Sequence, residues 1–274
     1  MYENGPPLLC CRQRKRGRES GMEAYTGFAE VYDLFMEDVP YEQWCGYIMG
    51  LFREYGIEEG LVLDLGCGTG VLTELLARAG YDMIGIDGSG EMLEAALERR
   101  EKSGLDILYL CQDMRTFELY GTVRAIVSVC DSMNYILEEE EFVGILSLAA
   151  RNYLDYGGLF IFDLNTEYKY RELLGEQTIA ENREEGSFIW ENSYDEEEKI
   201  NEYNLTLFIR EDSGYYRKEE EVHYQRAYPC GQVKKMVERS GLKLLAIYDA
   251  FTHEPAREDS ERIYVICQRE KQEI

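Results

Sequence analysis

Residues 64–70, DLGCGTG, place three glycines directly after the apolar run 61–63 and before an apparent helix. A strand that passes through glycines into a helix commonly brings a ligand against the helix N-terminus. The spacing is G-x-G-x-G, which lacks the extra residue of the dinucleotide fingerprint and the Lys-Ser/Thr of a phosphate-binding loop. The loop contains no basic residue and Asp64 flanks it, so the segment predicts a cationic ligand in preference to a phosphate.

Two further carboxylates stand where the next predicted strands end. Asp87 follows the apolar run 84–86 and lies 17 residues after Gly70. This is close to the distance at which an acidic residue accepts hydrogen bonds from a ribose hydroxyl pair in doubly wound folds. Asp113 ends the following strand. The carboxyl ends of parallel strands meet at one edge of a sheet, so we expect Asp64, Asp87 and Asp113 to converge there.

The elements that position these carboxylates follow from the hydrophobic periodicity. A helix is predicted from about 41 to 55, after which strands and helices alternate. The predicted strands are 61–65, 83–86, 107–111, 125–130 and 159–164, and the predicted helices are 70–79, 91–102 and 138–153. Gly157-Gly158 is predicted to turn the chain into the last of these strands. Strands that are apolar throughout and separated by helices predict a mostly parallel sheet that is covered on both faces.

The alternation stops between about 175 and 227. Alternating apolar residues there predict three or four antiparallel strands, with tight turns near 195–199 and 212–214. A helix at 231–240 and two closing strands at 242–248 and 262–268 follow. The sequence therefore predicts an α/β, doubly wound fold with a small antiparallel β insertion. Its predicted segments are a core with N-terminal lid helices (22–174), the insertion as a substrate cover or dimer contact (175–228), and the C-terminal helix and closing strands (229–274).

Residues 61–164 resemble a class I S-adenosylmethionine-dependent methyltransferase, and residues 22–270 as a whole fit that fold. The resemblance rests on the DLGCGTG loop, Asp87 and Asp113-Met114, in this order at strand ends. It implies a Rossmann-like, seven-stranded sheet and an enzyme that uses S-adenosylmethionine and releases S-adenosylhomocysteine. The segment Tyr25-x-x-Phe28-Ala29-x-x-Tyr32-Asp33 also resembles the lid helix of small-molecule members of this superfamily.

The resemblance further implies a role for each motif. The glycine loop approaches the amino-acid part of the cofactor, Asp87 binds the ribose, and Asp113-Met114 contacts the adenine. Residues 130–135 flank the methyl donor and the acceptor. The cofactor-binding residues expected on this basis are Tyr25, Asp64, Gly66, Cys67, Gly68, Gly70, Asp87, Gly88, Met92, Asp113, Met114, Cys130 and Asp131.

The acceptor side is less well defined, because transfer from a sulfonium mainly requires alignment, desolvation and, for some acceptors, removal of a proton. His223, at the exit of the insertion, is a candidate general base or substrate contact. A histidine that only satisfies a neighbouring hydrogen bond is the structural alternative. Tyr32 and Tyr135 are further catalytic candidates, with packing in the core as their alternative. Asn134 and Arg226 are candidate substrate contacts.

The composition restricts the partners. The formal net charge is −25, with 54 acidic and 29 basic residues, which argues against a nucleic-acid substrate because phosphate binding relies on Lys and Arg. No run approaches the roughly 20 apolar residues of a membrane-spanning helix. Eight cysteines without paired metal spacing predict reduced thiols in a cytoplasmic protein, with no metal site. Monomer and homodimer both remain open.

Residues 1–21 differ from the rest of the chain in being basic. We expect a disordered extension, or an artefact of a start codon upstream of Met22, with a nucleic-acid or membrane-binding arm as the alternative. For the whole chain, the leading hypothesis is methyl transfer to a nitrogen or oxygen of a small molecule. The alternatives are an RNA or protein methyltransferase and a non-catalytic S-adenosylmethionine-binding or interaction protein.

Overall fold

The computed structural model describes residues 40–270, which form helices α1–α5, strands β1–β11 and three short helical turns. The first half contains α1 (Tyr41–Glu54), β1 (Leu61–Leu65), α2 (Val71–Arg78), β2 (Asp82–Asp87), α3 (Gly90–Ser103), β3 (Ile107–Cys111), β4 (Val123–Ser128), a 3₁₀ turn (Ser132–Tyr135) and α4 (Glu139–Leu148). A π-helical turn (Ala149–Tyr153) leads into β5 (Leu154–Asn165), and a second one (Lys169–Leu174) follows β5. The rest contains β6 (Thr178–Asn182), β7 (Gly186–Asp195), β8 (Ile200–Arg210), β9 (Tyr216–Arg226), α5 (Cys230–Ser240), β10 (Lys243–Asp249) and β11 (Arg262–Gln268).

The central sheet has seven strands in the order β3-β2-β1-β4-β5-β11-β10. Strands β1 to β5 are parallel, whereas β11 runs antiparallel to both β5 and β10. This confirms the predicted doubly wound, mostly parallel sheet. The strand order reverses between β1 and β4, which is the point where open α/β sheets bind ligands.

Apolar side chains cover both faces of the central sheet. On one face, Leu63 and Leu65 pack with residues of α4 and α5. On the other face, Val62 packs with residues of α1 and α2. Alternate residues of β1 thus enter opposite cores, which explains why the strand is apolar at nearly every position.

The predicted β insertion forms a separate antiparallel sheet in the order β6-β7-β8-β9. Strands β7 and β8 pair from Gly186↔Ile209 to Asp195↔Ile200, and β8 and β9 pair from Ile200↔Arg226 to Arg210↔Tyr216. The turns at 196–199 and 211–214 match the predicted positions. The sheet lies in the chain between β5 and α5, as predicted, while its role as a substrate cover or dimer contact stays a prediction.

The predicted start of β5 and the predicted end of β4 are wrong. Gly157-Gly158 does not turn the chain into β5, because the strand already begins at Leu154. The Gly157 N–H donates to the Arg269 carbonyl at 2.8 Å, so the glycines lie in a strand irregularity. Strand β4 ends at Ser128 and not at Cys130, because Cys130 has a left-handed φ of 62°. The predicted lid helix, with Tyr25 and Tyr32, and the extension 1–21 lie outside the described residues.

Gly85 provides a test of the packing between β2 and β3. A Cβ at this position would lie 2.5 Å from Cδ1 of Tyr109, the residue paired with it on β3. We expect Gly85→Ala to lower the free energy of unfolding by about 1–3 kcal/mol, as overpacking typically does. Chemical denaturation followed by circular dichroism measures the change.

Gly144 is the matched control, because a Cβ at this exposed position of α4 would have no neighbour within 4 Å. Gly144→Ala is expected to raise the free energy of unfolding by about 0.5–1 kcal/mol. Adding Tyr109→Ala to Gly85→Ala should recover part of the lost stability. Equal changes in the free energy of unfolding for Gly85→Ala and Gly144→Ala would contradict the close approach of Tyr109 to Gly85.

Candidate active site

The glycine loop curves over the carboxyl end of β1. Gly66, Gly68 and Gly70 all have left-handed φ values, of 82°, 54° and 77°. The Gly66 N–H donates to the Ile86 carbonyl at 2.7 Å, which ties the loop to β2. A Cβ on Gly66 would lie 2.8 Å from the Ser132 hydroxyl, whereas a Cβ on Gly68 would project into open space. Gly66 and Gly68 line a pocket that is also bordered by Cys67, Gly88 and Met92.

Gly70 serves a different purpose from the predicted cofactor contact. It precedes the first residue of α2 and is not among the residues that line the pocket. A Cβ on Gly70 would overlap the Tyr109 hydroxyl. The absence of a side chain at Gly70 therefore lets the loop enter α2 close to the Tyr109 hydroxyl. This neighbour could not be recognised from the loop sequence.

Asp87 connects the glycine loop to α3. Its Oδ2 accepts from the Gly68 N–H at 2.8 Å, and its Oδ1 accepts from the Ser89 N–H at 2.8 Å. Burial raises the pKa of this carboxyl group. An ionised carboxylate has about four lone-pair sites, so both oxygens can accept a further hydrogen bond. A vicinal diol presents two hydroxyl donors suited to this arrangement.

Asp64 lies beneath the loop and lines the same pocket. Its Oδ2 accepts from the Thr73 hydroxyl at 2.6 Å. Burial raises the pKa of Asp64 to about 7, and the nearby Asp87 adds to the rise. A positive charge placed beside Asp64 would favour its ionised form.

Asp113 and Met114 line the pocket where β3 ends. The Arg115 Nε lies 3.0 Å from each Asp113 oxygen, and this hydrogen bonding lowers the pKa of the Asp113 carboxyl. Among the pocket-lining residues in the described part of the chain, Arg115 is the one Lys or Arg, and Asp113 neutralises it. The pocket therefore offers two carboxyl groups, Asp64 and Asp87, without a basic partner among its lining residues, and no excess of positive charge.

A strained turn follows β4. Cys130 and Asp131 have consecutive left-handed φ values of 62° and 54°. Their backbone N–H groups donate to the buried Asp163 carboxylate at 3.2 and 2.8 Å. Cys130 lines the pocket, but Asp131 does not. The Asp131 carboxylate instead accepts from Arg262 at 2.7 Å, so the structure gives it a supporting position and not the predicted cofactor contact.

The two predicted substrate contacts also hold the scaffold together. Asn134 is fully buried; its amide nitrogen donates to the Asn165 and Arg226 carbonyls at 3.1 and 2.8 Å, and its oxygen accepts from the Asn165 N–H at 2.9 Å. The Arg226 guanidinium donates to the Leu137 carbonyl at 2.6 Å. Neither residue lines the pocket. Backbone groups hold the Asn134 side chain and one nitrogen of the Arg226 guanidinium, and the role of the two residues as substrate contacts stays a prediction.

Tyr135 and His223 are brought together, but only Tyr135 lines the pocket. The Tyr135 hydroxyl lies 3.2 Å from His223 Nδ1 and makes a short hydrogen bond to the Tyr203 hydroxyl. His223 is 1% exposed, and its Nε2 lies 3.0 Å from Glu221. His223 thus reaches the pocket through Tyr135, and its role as a general base or substrate contact stays a prediction.

Several pocket residues were missed by the sequence analysis. They include Tyr41, Trp44, Thr69, Gln112 and Arg115. Tyr41 and Trp44 lie in the first turn of α1, whose amphipathic pattern predicts only that one face is buried. Trp44 also packs against the Arg262 guanidinium, which lies over its ring. Thr69, by contrast, lies within the glycine loop and Arg115 follows Asp113-Met114, so both could have been found from their positions.

Within residues 40–270, no helix has the length and apolarity to cross a bilayer, and no three His, Cys, Asp or Glu side chains are grouped to hold a metal ion. A ligand with a positive charge beside Asp64 and a vicinal diol beside Asp87 fits the pocket. S-adenosylmethionine has both features.

Comparison with known proteins agrees with this fit. Residues 62–158 match the family described as "Methyltransferase domain". A relative from Geobacillus sp. (strain WCH70), a methyltransferase by name, is 33% identical over 248 residues, which cover 89% of this chain and 99% of the relative.

Solved structures share the fold. An S-adenosylmethionine-dependent methyltransferase from Clostridium acetobutylicum ATCC 824 superposes with a TM-score of 0.80 at 29% identity, covering 90% of this chain and 99% of the other. The sugar N-methyltransferase KedS8 from Streptoalloteichus sp. ATCC 53650 has a TM-score of 0.72 at 19% identity, covering 88% and 93%, and shows the fold alone.

The sheet order, the acidic pocket beside the glycine loop and these relatives lead to one conclusion: the chain belongs to the class I S-adenosylmethionine-dependent methyltransferases.

Proposed function

We propose that this enzyme transfers the methyl group of S-adenosylmethionine to a nitrogen or oxygen atom of a small-molecule acceptor. The observation that carries the proposal is the junction at Tyr135, which lines the cofactor pocket and is hydrogen-bonded to His223 of the second sheet. A polar, titratable group thus stands where the cofactor pocket meets the insertion. Such a group suits an acceptor that must lose a proton.

The attachment of the second sheet to the central sheet supports a small acceptor. Gln225 of β9 donates to Asp131 at 2.6 Å and accepts from Tyr170 at 2.9 Å. These contacts fasten β9 to the turn after β4, whose residue Cys130 lines the pocket. The formal charge of −25 further disfavours the RNA alternative. KedS8, which shares the fold at low identity, is a sugar N-methyltransferase by name, which is compatible with the proposal.

Within the pocket, each part of the cofactor is assigned to the residues with matching chemistry. The glycine loop and Asp64 would hold the amino-acid part, and Asp87 would accept from the ribose hydroxyls. Asp113 and Met114 would contact the adenine, and Cys130 would lie beside the sulfonium. The bound cofactor supplies a methyl group that is activated by the positive charge on sulfur. The protein supplies alignment and exclusion of water.

The acceptor class can be tested with a panel. The purified full chain is incubated with S-adenosylmethionine and sets of small amines, phenols, hydroxy acids and amino sugars, with RNA and a peptide pool as separate arms. We expect a small-molecule product heavier by one methylene unit, together with S-adenosylhomocysteine, detected by mass spectrometry. Methylation confined to RNA or peptide would overturn the proposal. Cofactor binding without any product would favour the non-catalytic alternative.

Asp87→Ala tests the assignment of the ribose site. The substitution removes the acceptor of two hydroxyl groups and the anchor of the Gly68 N–H, so we expect the Kd for S-adenosylmethionine to rise at least about tenfold. Isothermal titration calorimetry measures the change. Asp82→Ala removes an exposed carboxylate from the other end of β2 and should leave the Kd within about twofold of wild type. Equal Kd values for the two variants would contradict the assignment.

The raised pKa of Asp64 predicts that cofactor binding is linked to proton release. Without cofactor, Asp64 is largely protonated below about pH 7. A cation beside it lowers the pKa, so binding expels a proton just below that pH. Affinity for S-adenosylmethionine should therefore rise as the pH approaches 7 and level off above it.

Calorimetry in buffers of different ionisation enthalpy measures the released protons. Asp64→Asn should reduce the release, because it removes the carboxyl group whose pKa lies at about 7. Asp82→Asn is the control with an unchanged pocket. If the binding enthalpy is the same in every buffer, binding releases no proton. That result would contradict a positively charged group of the cofactor beside Asp64.

A further inference from the structure

The second sheet contains a buried histidine–carboxylate pair behind the pocket. Glu221 and His223 are two residues apart on β9, so their side chains share one face of the strand. The Nε2 of His223 lies 3.0 Å from Oε2 of Glu221, and the two side chains are 0% and 4% exposed. Burial of a carboxylate is costly unless it is hydrogen-bonded, so this contact has to be kept in the folded protein.

The hydrogen-bond partners of His223 determine which ring nitrogen carries a proton and which one accepts. An ionised carboxylate only accepts hydrogen bonds, so Glu221 requires a proton on Nε2. In the neutral ring, Nδ1 is then an acceptor and receives the Tyr135 O–H, 3.2 Å away. Tyr203 stacks on the imidazole, with ring centroids 4.6 Å apart, and its hydroxyl contacts that of Tyr135.

Tyr135 is fixed beside the pocket by the chain on either side of it. It ends the 3₁₀ turn that follows Cys130 and Asp131, and the preceding residue, Asn134, is held by three backbone hydrogen bonds. The Tyr228 hydroxyl donates to the carbonyl of the next residue, Ile136, at 2.5 Å. The backbone on both sides of Tyr135 is therefore held in place, which keeps its side chain beside the pocket and in contact with His223.

We propose that Tyr135, His223 and Glu221 form a proton relay that deprotonates the methyl acceptor, an inference that rests on the proposed nitrogen or oxygen acceptor. As the acceptor atom bonds to the methyl carbon, the carbon–sulfur bond breaks, its electron pair stays on sulfur, and a neutral thioether leaves. The acceptor proton passes to the Tyr135 oxygen, and the Tyr135 proton passes to His223 Nδ1. The resulting imidazolium is stabilised by Glu221 until the proton returns to solvent.

The proton position on His223 distinguishes a relay from a contact that only fastens the second sheet. The chain has two histidines, so nitrogen NMR of the labelled full-length protein shows two imidazole rings. We expect His223 at neutral pH to carry its proton on Nε2, with an Nδ1 signal that moves in Tyr135→Phe. His253, an exposed residue whose Nε2 lies 3.0 Å from Glu54, is the internal control and should not respond.

This measurement needs no acceptor. A proton on Nδ1, or on both ring nitrogens, means that His223 cannot accept from Tyr135 and overturns the relay, whatever the panel finds. Failure of the acceptor panel in a protein with the expected tautomer would instead tell against the proposed function. The two outcomes are therefore separable.

Kinetics with an acceptor from the panel provide the second readout. We expect Tyr135→Phe to lower kcat about 100-fold or more, the usual range for loss of a general base, with the Kd for S-adenosylmethionine within about threefold of wild type. Glu221→Gln should lower kcat about tenfold at unchanged KM, because the imidazolium loses its carboxylate. His253→Gln is the control and should match wild type. Tyr135→Phe with kcat within twofold of wild type overturns the relay.

Discussion

The active-site end of the molecule depends on the carboxylate of Asp163. It accepts the backbone N–H groups of Cys130 and Asp131, which both adopt the left-handed conformation. That conformation costs roughly 1–2 kcal/mol for each residue with a side chain. Charge-assisted hydrogen bonds offset the cost, and Arg262 of β11 contacts both Asp163 and Asp131. Strand β11, through Arg262, thus stabilises the turn that follows β4.

The strained turn explains how one short segment contacts both the cofactor pocket and the second sheet. After β4, Cys130 lines the pocket, while the Asp131 side chain points to Arg262 and to Gln225 of the second sheet. The following 3₁₀ turn then places Tyr135 between the pocket and His223. Cofactor site and insertion are therefore joined through a few buried hydrogen bonds, and the placement of Tyr135 depends on the turn that Asp163 stabilises.

Much of the fold was predictable because its signals are local. Strand β1 and strand β3 have the predicted bounds, since short apolar runs between glycines and charged residues define them. The prediction failed where a distant partner decides the conformation. Gly157-Gly158 is typical of a turn, but pairing with Arg269, more than 100 residues away, keeps it in β5. Cys130 continues an apolar run, but Asp163 draws its backbone out of β4.

The sequence by itself determined the class of the cofactor, because the glycine loop, Asp87 and Asp113-Met114 resemble the ordered motifs of a known family, at strand ends that local periodicity predicts. It did not determine which of the residues after β4 face the pocket. Asn134 and Asp131 looked equivalent to Tyr135 in the sequence, yet backbone partners hold the buried Asn134 and an ion pair with Arg262 holds Asp131. The pairing of His223 with Tyr135 spans 88 residues. Only the tertiary structure decided these roles, because side-chain direction there is set by contacts between distant segments.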